Sequence, residues 1–69
     1  MVIRTRIFEL CDRKYRDLAE LAGAMGLPVS RVFQVREGTV NINQRFIVGA
    51  KKAFPERRLD ELFYFSKEN

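Results

Sequence analysis

The stretch from Leu18 to Gly38, LAELAGAMGLPVSRVFQVREG, constrains this chain more than any other. Leu18, Leu21, Ala22 and Met25 recur at i, i+3, i+4 and i+7, the spacing that lines one stripe of an α-helix. Gly26 ends the stripe. Glycine takes a left-handed backbone without steric penalty, so the chain can turn sharply there and fold Leu27 back onto the stripe. A second helical pattern follows at once and closes on Gly38. In it Val32 and Val35 face inward, which leaves Val29, Ser30, Arg31, Phe33, Gln34 and Arg36 over, an outer face of small, basic and amide side chains.

Two short helices around a glycine-centred turn are the layout of a helix-turn-helix, which points to DNA. The rest of the chain also reads as helical. Ile3, Ile7, Leu10 and Cys11 form a stripe at i, i+4, i+7 and i+8, consistent with a helix over about 3–14. Asp17 caps the helix over 17–25. With Glu20 three residues on, it makes a capping-box variant in which each side chain satisfies an amide of the other's turn. The second helix of the central stretch covers 28–37, followed by the polar link Thr39-Val40-Asn41. Asn41 with Gln44 repeats the cap before Phe46, Ile47, Ala50, Ala53 and Phe54 on a helix over about 42–54, stopped by Pro55. Leu59, Leu62 and Phe63 seal the core from a last helix over about 58–64, with Tyr64 and Phe65 behind it. The expectation is an all-α, five-helix bundle in one domain spanning 1–69, with no strand, repeat or linker.

At 69 residues the chain is near the size where a single core suffices without disulfides or metal. No apolar run is long enough to span a membrane, and Met1 to Leu10 lacks the apolar core of a leader. A lone cysteine cannot close an internal disulfide, so a reducing cytoplasm is the expected compartment. Cys11 reads as a packing residue, because a chain with no histidine and no second cysteine offers it no metal-binding or redox partner. No metal, cofactor or small-molecule ligand is expected. Catalysis is not expected either: there is no glycine-rich phosphate loop and no evident carboxylate pair. Thirteen basic residues against nine acidic ones give +4 and a pI near 9.7, which suits a phosphate-bearing partner. Arg4, Arg6, Arg13, Lys14 and Arg16 cluster around the first helix, most of them read as a solvated face paired with Glu9, Asp12 and Asp17.

Four segments in order carry a resemblance: Leu21-Ala22-x-x-Met25-Gly26-Leu27, Ser30-x-Val32-x-x-Val35-x-x-Gly38, Ala50-x-x-Ala53-Phe54 and Leu59-Asp60-Glu61-Leu62-Phe63. From about Ile7 to Phe63 the chain resembles the helix-turn-helix domains of the phage repressor and Cro type, the xenobiotic-response-element family. The resemblance implies a five-helix bundle whose helix from about Pro28 to Arg36 enters the major groove. By position, Val29, Ser30 and Gln34 then read bases. Glutamine can bond adenine through two hydrogen bonds, serine can meet any base edge, and valine can cover a thymine methyl. Arg31 is placed for phosphate or for guanine. Thr39, Asn41, Asn43, Gln44 and Arg45 are placed along the DNA backbone, where a helix start adds amide donors. Lys14 and Arg16 precede a helix whose start approaches phosphate in relatives, so they join the backbone set. Phe33 either contacts the groove or packs against a neighbouring element. Leu18 stands where the family carries glutamine, and Cys11 and Arg36 stand where it pairs an arginine with a glutamate. Arg36 therefore either pairs with Asp12 or Glu37 or adds positive charge toward DNA.

The function these features imply is sequence-specific binding of double-stranded DNA by a transcriptional regulator, a repressor acting as a homodimer on a palindromic operator. Phe63, Tyr64 and Phe65 are the expected dimer interface, being too dense an aromatic group for one short helix to bury. The alternative is a protein-interaction module, antitoxin-like or a phage accessory protein, with the same fold and weak DNA binding.

Overall fold

The chain opens with a strand rather than a helix. The computed structural model, which describes residues 2–67, runs β1 (Val2–Thr5), α1 (Ile7–Lys14), α2 (Leu18–Met25), α3 (Val29–Glu37), α4 (Gln44–Ala53), α5 (Leu59–Leu62) and β2 (Phe63–Ser66). β1 and β2 pair antiparallel, Val2 opposite Ser66, Ile3 opposite Phe65, Arg4 opposite Tyr64 and Thr5 opposite Phe63. The all-α expectation is therefore corrected: five helices carry a two-stranded ribbon. The first helix starts at Ile7 rather than at 3, and the last stops at Leu62 rather than running to 64. An Ile3-to-Ile7 interval fits a helix on spacing alone, whereas Phe63-Tyr64-Phe65 favours a pleated backbone once a partner strand is present.

Thr5 makes the corner between ribbon and bundle. Its hydroxyl donates to the Leu62 carbonyl at 3.0 Å and accepts from the Ile7 amide at 3.2 Å. The Arg6 amide donates to the same Leu62 carbonyl at 2.8 Å, so the start of α1 is hooked to the end of α5.

Local signals set the helix ends. Asp17 Oδ1 accepts from the Glu20 amide at 2.9 Å, but Glu20 Oε1 reaches back to the Arg16 amide rather than to that of Asp17. Gly26 and Gly38 adopt left-handed φ values of 72° and 80°. Behind each, the next amide returns to the carbonyl five residues earlier, Leu27 to Ala22 and Thr39 to Gln34, both at 3.0 Å. The cap of α4 is Asn43, whose Oδ1 accepts from the Phe46 amide at 3.0 Å. Asn41 and Gln44 do not form the expected cap, because Gln44 already lies inside the helix. α4 closes at Ala53, two residues before the Pro55 ring would clash with it.

Phe46 is fully buried, and its ring meets Phe8 and Phe63 at centroid distances of 6.5 and 6.3 Å. Ile7, Leu21, Met25, Val32, Ala50 and Leu62 bury around it. Each of the larger side chains contributes about 1.5–3 kcal/mol on burial. Cys11 joins this core, and burial pushes its thiol pKa up, followed by the carboxylates of Asp12, Asp17 and Glu20. α4 lies so close to α2 that a Cβ at Gly49 would stand 2.7 Å from the Met25 carbonyl oxygen. Two expected core residues are outside. Ile3 moves onto the ribbon, and Leu59 is 49% exposed because only the C-terminal end of the four-residue α5 reaches the core.

Candidate nucleic-acid interface

The Gly26 turn and Pro28 set the direction of α3. Pro28 supplies a fixed φ of −62° at the N-cap, and its carbonyl accepts from the Arg31 and Val32 amides. Val32 is buried and Val35 half-buried, so with 100° per residue Ser30, Phe33 and Gln34 fall on the far side, all exposed. Val29 lies on one flank of that face and is also exposed. Phe33 is 46% exposed, which removes the alternative of packing against a neighbouring element. Instead the Arg36 guanidinium lies 5.2 Å from its ring centroid. Arg36 also holds Glu37 through Nε, 3.4 Å from Oε2, so of its two expected partners it takes Glu37 and not Asp12. Its charge is partly offset where it sits. Among the described residues Arg31 and Arg45 enter no ion pair.

The link and the start of α4 lie next along the chain. Thr39 spends its hydroxyl proton on the Gln34 carbonyl, closing the end of α3. Asn43 commits its carbonyl oxygen to the cap, leaving its amide donors outward. Asn41, Gln44 and Arg45 are exposed. Arg45, Gln44 and Lys52 line a shallow groove of about 520 Å³ beside Gly26 and Leu27. Lys52 was absent from the expected set, although its i, i+7 spacing from Arg45 places both on one flank of α4.

Lys14 and Arg16 each enter an exposed ion pair. Lys14 Nζ sits 3.0 Å from Glu56 Oε1 and over the Phe54 and Tyr15 rings, tying α1 to the turn after α4. The Glu56 carboxyl is held below the usual range by its own backbone amide, then by Lys14. Arg16 pairs with Glu20 at 3.6 Å. Among the described residues Glu9, Asp12 and Asp17 enter no ion pair with this basic cluster; Lys14 takes Glu56 from a distant turn and Arg16 takes Glu20 four residues on.

The three aromatic residues of the expected dimer interface all border one groove under β2, although strand alternation turns Tyr64 from Phe63 and Phe65. Phe63 is half-buried against Phe46, Tyr64 lies under the Arg6 guanidinium at 4.3 Å, and Phe65 is 69% exposed. Among the described residues no helix is long and apolar enough to cross a membrane. Comparison with known proteins finds no matching family model, curated protein or solved structure.

Proposed function

We propose that this chain is a helix-turn-helix protein of the phage repressor and Cro type, a sequence-specific regulator that binds double-stranded DNA as a homodimer on a palindromic operator and represses by occlusion. The observation that carries this reading is the outward face of α3. Ser30 and Gln34 stand exposed on it with Phe33 to one side of them, Arg31 is unpaired on its flank among the described residues, and the Gln44–Arg45 start of α4 follows. Further support comes from α2 and α3 meeting around a left-handed Gly26, which lets a short helix stand away from the body. In this arrangement Gln34 reads adenine, Ser30 meets a neighbouring base edge and Val29 covers a thymine methyl. Arg31, Arg45 and the amides at the start of α4 hold phosphates.

Selection from a random duplex library, followed by anisotropy titration over a salt series, tests the proposal. A palindromic winner bound about 10³-fold or more tighter than scrambled DNA is the expected result. Steeply salt-dependent binding without enrichment would overturn it. That outcome would favour a second reading, a protein-interaction module, for which the exposed Phe65 is the supporting observation.

A further inference from the structure

The ribbon has two chemically different faces. Because strand side chains alternate, Val2 and Arg4 of β1 lie with Tyr64 and Ser66 of β2 on one face, and Ile3 and Thr5 with Phe63 and Phe65 on the other. Arg4 stands opposite Tyr64 in the register, and the Arg6 guanidinium lies over the same ring, 4.3 Å from its centroid. Two exposed arginines are therefore set beside one tyrosine.

This basic face borders the link that follows α3. A groove of about 260 Å³ runs between them, with Arg4 and Tyr64 on the ribbon side and Arg36, Gly38, Val40 and Asn41 on the other. Two guanidinium side chains and an amide line it, and among the described residues no carboxylate does. Glu37, next to the link, is held by Arg36 and stays outside the groove. Arg4 is exposed and enters no ion pair among the described residues, so its charge is not offset where it sits. With Arg4, Arg36 and Asn41 around it, the groove suits an oxyanion rather than an apolar group.

We infer that this groove is a further contact for the DNA backbone, in which Arg4 holds a phosphate beyond those held by Arg31 and Arg45. The inference rests on the proposed DNA binding and extends it from the helices to the ribbon. Asn41 is the bridge, since it lines the groove and also belongs to the backbone-facing set of the link. A guanidinium fits the role, because its planar fork of donors matches phosphate oxygens and stays charged at any physiological pH. Arg36 is the weaker member of the groove, its charge shared with Glu37.

Anisotropy titration of the full chain against a scrambled duplex over a salt series tests it, because phosphate contacts register there without sequence selection. Arg4→Thr removes the charge and keeps a residue that favours a strand. It should weaken binding about three- to tenfold and flatten the slope of log affinity against log salt by about one. Arg4→Lys should keep most of that slope. Arg13→Ala, an equal loss of charge on α1 outside the groove, should leave the slope as in wild type. If the urea midpoint of Arg4→Thr falls, Arg4→Gln, which retains the aliphatic stem, repeats the test. An unchanged slope without the Arg4 charge, or an equal loss in Arg13→Ala, overturns the inference. A selected palindrome whose binding ignores Arg4 would sink this contact alone. A slope that falls with Arg4→Thr in a chain that selects no sequence would sink the sequence-specific reading alone. A chain that binds no duplex would sink both.

Discussion

The outer face of α3 and the strip along α4, α5 and β2 both expose apolar side chains, but in different chemical company. On α3 the Phe33 ring lies under Arg36 and beside Ser30 and Gln34, so an incoming surface meets donors and acceptors together with the ring. On the strip Phe65 shares a groove with Ile3, Leu59 and Ile47, and the one carboxylate lining it, Asp60, is already paired with Arg58 at 3.2 Å. The first face can discriminate among partners by leaving a wrong one with unpaired polar groups. The second offers apolar area, and its selectivity rests mainly on shape. Exposure therefore does not by itself say what a surface binds. The hydrogen-bonding groups around the apolar atoms do.

α4 joins the two surfaces, with Arg45 on one flank and Ile47 on the other, so the largest expected effect breaks both at once. Gly49→Ala would drive a methyl group into the Met25 carbonyl and push α4 away from α2. We expect a loss of about 2–3 kcal/mol in urea unfolding, with DNA affinity and self-association falling together. An unchanged unfolding midpoint would mean that α2 relaxes freely.

Gln34→Ala separates the surfaces instead. It should cost about 1–3 kcal/mol at a selected site, relax base preference there, and leave sedimentation unchanged. Specific affinity equal to wild type within error would show that α3 meets DNA in another register. Asn43→Ala removes the cap of α4 and should cost about 1 kcal/mol of stability by thermal melting, with the strip intact.

Arg45→Ala should weaken every duplex alike and flatten the salt slope by about one, a change read in anisotropy and absent from self-association. The smallest effect concerns Glu56, which belongs to neither surface. Its carboxyl is held down in the folded state, so its contribution is present above the unfolded pKa and is lost as pH falls through the lower, folded value. In acid titration that loss lies below pH 4.5, and Glu56→Gln should remove it while leaving both surfaces unchanged.

The central segment was legible because its signals act within a few residues of themselves. Gly26, Gly38 and Asp17 each mark a helix end through a hydrogen bond that spans three to five residues, and all three mark those ends in the structure. The cap expected at Asn41 lies two residues on at Asn43, whose side chain accepts from the amide of the buried Phe46. The ribbon was not legible by the same means. Its partners lie at opposite ends of the sequence, and helical spacing from Ile3 to Ile7 concealed the strand. The aromatic run Phe63-Tyr64-Phe65 was the one local hint of an extended backbone. Of the expected DNA-facing set, Val29, Ser30, Arg31 and Gln34 are exposed along α3, since the inward valines leave them no other direction. The ion pair of Lys14 was not legible, because its partner, Glu56, comes from a distant turn.

The hook between Thr5 and the Leu62 carbonyl spans 57 residues of chain. During synthesis, the segment that becomes β1 leaves the ribosome long before its partner strand exists. The ribbon therefore cannot close until the end of the chain has been made, and it ties the first strand to the last. Amide hydrogen exchange should show this two-stranded edge opening first, with the β1 amides that bond to β2 exchanging before those in the middle of the better-buried α4.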